Sequence, residues 1–158
     1  MAKNYESIYT NIRTTSERGV VYAAIESVLE ALFKKGENVT KHIETEMPST
    51  VVEPLKKDLD RLPNTSPKTI QTYMEGLHKE LEKLRVISLE IAFDPTEETI
   101  AVLTVWIREF LGNDVIMELS VDRSLFGGAR VSYEGRYKEI NLATLIEHTM
   151  QKQQETIT

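Results

Sequence analysis

VDRSLFGGARVSYEG, residues Val121 to Gly135, joins two alternating runs and sets the plan of the second half of the chain. Before it, Val115, Met117, Leu119 and Val121 recur at the two-residue period of a half-buried strand. After it, Ala129, Val131 and Tyr133 do the same, and Glu134-Gly135-Arg136 offers a hairpin turn into a strand from Tyr137 to Ile140. Between the runs stand Asp122, Ser124, the apolar step Leu125-Phe126, and the pair Gly127-Gly128. Adjacent glycines permit positive φ or a close backbone approach that larger residues resist. On that ground Gly128→Val is expected to damage folding of residues 85–150. Asp122, at a strand end, is placed to accept backbone N–H bonds and pin the loop.

Working outward, Val86 to Phe93 reads as a further strand. Asp94-Pro95-Thr96-Glu97 supplies an N-cap, an N1 proline and an acidic first turn for a helix that closes at Leu111-Gly112. A last helix opens near Asn141, with Leu142, Leu145, Ile146 and Thr149 on one side and Met150 at the margin. The order is β-α-β-β-β-α, with a parallel crossover between its first two strands. The helix after Pro95 carries Ile100, Ala101, Val102, Leu103, Val105, Trp106, Ile107, Phe110 and Leu111, apolar around most of its circumference. Such a helix needs cover on a second side. The terminal helix, the long helix of the first half and another protein are the three candidates.

The first 84 residues carry the helical period instead. Tyr5, Ile8, Tyr9 and Ile12 make a short amphipathic segment, and its apolar face is expected to be shared between bundle and partner. Thr14 and Glu17 resemble a capping box for a helix with the stripe Val21, Ala24, Ile25, Val28, Leu29, Leu32 and Phe33, closing on Lys34, Lys35 and a C′ glycine, Gly36. Val39, Ile43 and Met47 are spaced by four and stopped by Pro48. Val51, Leu55, Leu59 and Leu62 mark a helix that starts between Thr50 and Pro54 and ends before Pro63. Ser66-Pro67 reads as N-cap and N1 of a long helix striped by Ile70, Tyr73, Met74, Leu77, Leu81 and Leu84. The reading is an α+β chain: a helical bundle over residues 1–84, then a small α/β domain over residues 85–158.

Composition narrows the function. The 158 residues are 41% hydrophobic, enough for packed cores. Net charge is −6 with both signs interspersed, and no basic stripe marks a nucleic-acid footprint. With no cysteine there are no disulfides, thiolate metal sites or thiol nucleophiles. The opening MAKNYESIYTNIR lacks the pattern of a secretory signal, and the apolar window Ile100 to Leu111 is too short to cross a bilayer. Any membrane association is therefore expected through a partner.

Nothing catalytic gathers in the chain. Gly127-Gly128 is followed by a strand, without the further glycines or the helix that a phosphate cradle needs. His42, His78 and His148 fall in separate elements without metal-ligand spacing. Ser124 has no nearby histidine and no nucleophile elbow, so it reads as a loop-bracing hydroxyl. Leu125-Phe126 reads as buried under the sheet, with a docking patch as the sharper alternative. Trp106, Ile146 and Met150 are further candidate partner contacts.

The second half resembles the C-terminal region of the delta subunit of F-type ATP synthase, called the oligomycin-sensitivity-conferring protein in mitochondria. The family pattern is strand, helix, strand, then Val-Asp-x-Ser-Leu-Ile-Gly-Gly, a hairpin and a last helix. Val121, Asp122, Ser124, Leu125, Gly127 and Gly128 match in order, with Phe126 where Ile is usual. Gly135 falls at the hairpin turn, and Ile140-Asn141 falls where the family has Ile-Asp. Ala143 stands where Ser is common, and the first half holds about five candidate helices against the family's larger bundle.

The resemblance implies a peripheral-stalk subunit without chemistry, metal or cofactor. Its N-terminal bundle would grip N-terminal segments of the alpha subunits, and its C-terminal domain the C-terminal helix of the membrane-anchored b subunit. The chain would then be cytoplasmic, held at the inner face of the cell membrane through the complex. Two alternatives remain open. The E-like stalk protein of a vacuolar- or archaeal-type rotary ATPase also has a Gly-Gly turn, but it begins with a long charged helix, which Pro48, Pro54, Pro63 and Pro67 disfavour here. An unrelated small-molecule-binding α+β domain would instead show a pocket with clustered polar groups.

Overall fold

The computed structural model describes residues 5–125 and 128–157. The fold is α+β, and the chain divides into two units. One comprises described residues 5–12 with 16–84; the other comprises residues 13–15 with 85–157.

The first unit is helical, with α1 Glu6–Tyr9, α2 Thr15–Ala31, α3 Val39–Glu46, α4 Ser49–Asp60 and α5 Pro67–Glu82. Local chemistry sets several of the starts. The Ser66 hydroxyl accepts the Thr69 N–H at 3.3 Å with Pro67 in the first turn of α5, and the Asn38 side chain accepts the Lys41 N–H at 3.2 Å above α3. Helix α4 starts at Ser49, one residue earlier than expected, and carries Pro54 inside it. The stripes of α2 and α5 converge, with Ile25, Val28, Met74, Leu77 and Leu81 at most 1% exposed. Across that seam the Tyr22 ring stacks on His78 at 4.4 Å, and Arg18 donates to the Leu81 carbonyl near the end of α5.

Two expectations for α2 are corrected. The helix stops at Ala31, so Phe33 lies past the last turn, leaves the stripe and is 66% exposed. Gly36 does take a positive φ, +82°, but in the connection to α3 rather than directly after the helix.

Helix α1 is a single turn, too short to hold itself. Its neighbours hold it instead. The Tyr5 ring packs against Tyr73 at 5.2 Å, and its hydroxyl donates to the Tyr73 carbonyl at 3.4 Å. The Asp58 carboxylate accepts from both Ser7 (3.0 Å) and the Tyr73 hydroxyl (2.9 Å). Burial, then Asp58, push the Tyr73 phenol far above its ordinary pKa. Gly76 of α5 supplies the notch for Tyr5, since a Cβ there would overlap the phenol oxygen.

The second unit is a mixed four-stranded sheet of β1 Arg85–Ile91, β2 Val115–Val121, β3 Gly128–Tyr133 and β4 Arg136–Asn141, with helices α6 Glu97–Leu111 and α7 Leu142–Ile157. The spatial order is β2-β1-β3-β4. Strands β1 and β2 run parallel, as the crossover required, and β3 is antiparallel to both β1 and β4. The β3–β4 turn places Glu134 and Gly135 at φ +49° and +77°, the pair of positive values a two-residue hairpin favours. Residues 13–15 join this unit: the Met117 N–H donates to the Arg13 carbonyl at 2.9 Å, and Thr14 bridges to Met117 alongside β2.

One sheet face forms the core, with Ile87, Leu89, Ile91, Val115, Met117, Ala129 and Val131 closed by Leu103 and Ile107 of α6. The N-cap of α6 differs from the expected Asp94. Thr96 caps it, accepting the Thr99 N–H at 3.2 Å, while Asp94 pairs with Arg123 at 3.1 Å. The alternation expected along β2 also fails at both ends. Val115, Ile116 and Met117 are all buried, and Val121 is 40% exposed.

A hub at the base of the crossover fastens these elements. The Arg85 guanidinium donates to both Asp114 carboxylate oxygens, at 2.6 and 3.0 Å, to the Tyr133 hydroxyl at 2.9 Å, and to the Leu111 carbonyl. Helix α6 therefore ends on an arginine and on Gly112 at φ +104°. The Arg85 pairing holds the Asp114 carboxyl below the usual aspartate range.

Candidate functional site

The bend after β2 begins where the Asp122 N–H donates to the Ile91 carbonyl at 2.8 Å, one step beyond the β1–β2 register. The Asp122 carboxylate then accepts the Ser124 amide at 3.0 Å and the Ser124 hydroxyl at 2.6 Å. A backbone bond from the Leu125 N–H to the Asp122 carbonyl, 3.1 Å, closes the turn. Those two Ser124 bonds lower the Asp122 carboxyl below its ordinary value. Asp122 thus pins the loop as its position suggested, and Ser124 is occupied in bracing it.

Gly128 is a different case. It opens β3 opposite Asn141, without a positive φ, and a Cβ there would sit 3.4 Å from the Ile140 carbonyl, an ordinary contact. Of the two grounds for a glycine here, the positive φ is not the one seen; what remains is the approach of the Ile140 carbonyl, which an added methyl would touch at 3.4 Å. Gly127 and Phe126 lie outside the described residues. Leu125 is half-buried, and Gly135 fills the hairpin position.

The candidate partner contacts separate into two groups. In the helical unit Tyr5, Ile8 and Ile12 are 7%, 0% and 0% exposed, and Tyr9 is half-buried. Tyr5, Ile8 and Ile12 are thus taken up in packing within the unit, while Tyr9 keeps part of its surface in solvent. In the sheet unit, Trp106 is half-buried and meets Phe110 edge-on at 6.0 Å. Phe110 is 69% exposed, Val105 40% and Met150 36%. The side chain of Ile146 lies outside the described ones. Helix α7 packs on α6, with Lys152 bonded to Glu109 at 2.8 Å, so the terminal helix covers one side of α6. Phe110 was legible only as part of the apolar circumference of α6.

The sheet face opposite the core carries Val86 and the buried Ile116 at one end and is polar beyond them. Across it, register aligns Ser120, Glu90, Arg130 and Glu139 in one row and Glu118, Ser88, Ser132 and Tyr137 in the next. Arg130 bonds Glu90 at 3.0 Å, and Ser88 bonds Glu118 at 3.2 Å, around a shallow hollow of about 430 Å³. Paired side chains on a solvated face are what such a sheet ordinarily shows. Among the described residues no group of three or more His, Asp or Glu side chains is placed to hold a metal ion, and no helix is long and apolar enough to cross a membrane.

No family model matches this chain, and no curated protein matches it in sequence.

Proposed function

We propose that this chain is a non-catalytic adaptor of the delta-subunit type, linking the catalytic head of a rotary, proton-translocating ATP synthase to its membrane-anchored b stalk. The observation that carries the reading is the bend itself. Val121-Asp122-x-Ser124-Leu125 sits at the end of the second strand of a β-α-β-β-β-α unit, with Asp122 turned back onto Ser124. A helical N-terminal unit ahead of it supports the same reading. Such a protein works by two simultaneous grips, each of them a helix laid on an apolar surface. Contact with b falls to the apolar positions that α6 and α7 leave exposed; alpha-subunit segments fall to the helical unit. Its place is the cytoplasmic face of the membrane, reached only through those partners.

The test is calorimetric titration of the full chain with a peptide from the C-terminal end of its cognate b subunit, and separately with an alpha-subunit N-terminal peptide. Binding to the b peptide in the micromolar range, about −8 kcal/mol, is expected. Heat signals flat for both peptides would overturn the adaptor reading.

A further inference from the structure

His42, near the start of α3, sits between two carboxylates. Its Nε2 lies 2.7 Å from Glu37 in the connection before α3, and its Nδ1 lies 3.5 Å from Glu46 one turn further along the helix. The same Nδ1 is 3.5 Å from the Ser27 hydroxyl of α2. A neutral imidazole has a single N–H and can donate to one side only; the imidazolium donates to both. We propose that His42 is a protonation-dependent clasp, which as the imidazolium holds Glu37 in the connection before α3 and Glu46 within that helix, and which releases one of the two carboxylates when the proton leaves, a deprotonated Nδ1 then accepting from the Ser27 hydroxyl of α2. This inference is independent of the adaptor reading.

The charges around the ring agree in direction. Glu37 and Glu46 face it, and the bond to Glu37, then that to Glu46, raise the His42 pKa against the opposing pull of burial. Glu37 is lowered in return, first by His42, with smaller contributions from Lys34 and Lys41. From α2 the contact on the ring is the uncharged Ser27 hydroxyl. A histidine raised in the folded state gives its full stabilisation below the ordinary value of about 6.5 and loses it as pH rises through the higher folded value.

The experiment follows the His42 ring by NMR across pH 5 to 9 in the full chain, with amide-exchange protection of α3 measured relative to α5. The His42 midpoint is expected above about 6.5 and should return toward it in Glu37→Gln. Relative protection of α3 should fall roughly two- to fivefold through that midpoint, the range a part-exposed ion pair supports. The step should vanish in the Glu37→Gln/Glu46→Gln double variant. A wild-type midpoint at or below the ordinary histidine value, or α3 protection that is level across the titration, overturns the clasp.

Discussion

The helical unit spends most of its aromatic and apolar side chains inward, with Val20 and Phe33 the exceptions, whereas the sheet unit leaves more of them outward. Tyr5, Tyr73, Ile8 and Ile12 all close within the first unit, and the polar atoms there are drawn into the same packing through Asp58. In the second unit, Leu103 and Ile107 of α6 fill the core while Val105 and Phe110 of the same helix face solvent. A helix that is apolar on more than one face can satisfy a sheet and still have surface to offer. The lesson for function is that an apolar stripe becomes a docking candidate only after the protein's own packing has been subtracted.

The largest test of this contrast is a matched pair of core truncations. Leu103→Ala and Leu77→Ala each remove a fully buried side chain. Each should cost about 2–5 kcal/mol in chemical denaturation. The loss should be local: exchange protection falls first in the strands for Leu103→Ala and in α2 and α5 for Leu77→Ala. Uniform loss across both units in either variant would break the division drawn here.

Gly76→Ala sharpens the account of α1. Alanine gains helix propensity of up to about 1 kcal/mol, but its methyl overlaps the buried Tyr5 phenol. Overpacking costs about 1–3 kcal/mol, so a net loss of about 1 kcal/mol is expected in urea melts. Pairing it with Tyr5→Ala should abolish the overlap penalty. Stabilisation by Gly76→Ala in the otherwise native chain would remove the notch.

A smaller effect concerns acid. Because Arg85 depresses Asp114, that pair adds stability above the unfolded aspartate value, about 3.9, and the contribution fades as pH falls through the lower folded value. Both side chains are near half exposed, so solvent screening keeps the contribution small. Comparing melts at pH 7 and pH 3 for wild type and Arg85→Met should show a smaller acid-induced drop in the variant. Equal drops would discount the pair. Smallest of all is Gly128→Ala, expected to stay within about 0.5 kcal/mol of wild type, since the added Cβ meets only a contact at 3.4 Å. A large loss there would restore the conformational role first expected of this glycine.

Much of the secondary structure was legible because its signals are local. Ser66-Pro67 announced α5, four-residue spacing up to Pro48 announced α3, and Glu134-Gly135 announced the hairpin, each through chemistry confined to a few residues. Misreadings fell where a local signal had a competitor. Asp94 is as good a cap as Thr96, but it pairs with Arg123 across the unit. Gly76, alone inside a helical pattern, was the signal for a close packing site that went unused, and only its tertiary neighbour shows why a glycine stands there.

What the amino-acid order determined unaided is the α+β class, the succession of elements and the pinned turn at Asp122, because backbone propensity, capping and alternation act over neighbouring residues. Tertiary structure alone decided that residues 13–15 lie beside β2, that Arg85 gathers Asp114, Tyr133 and the end of α6, and which apolar side chains stay in water. Those outcomes depend on partners far apart in the chain, and burial is a property of what covers a residue rather than of the residue itself.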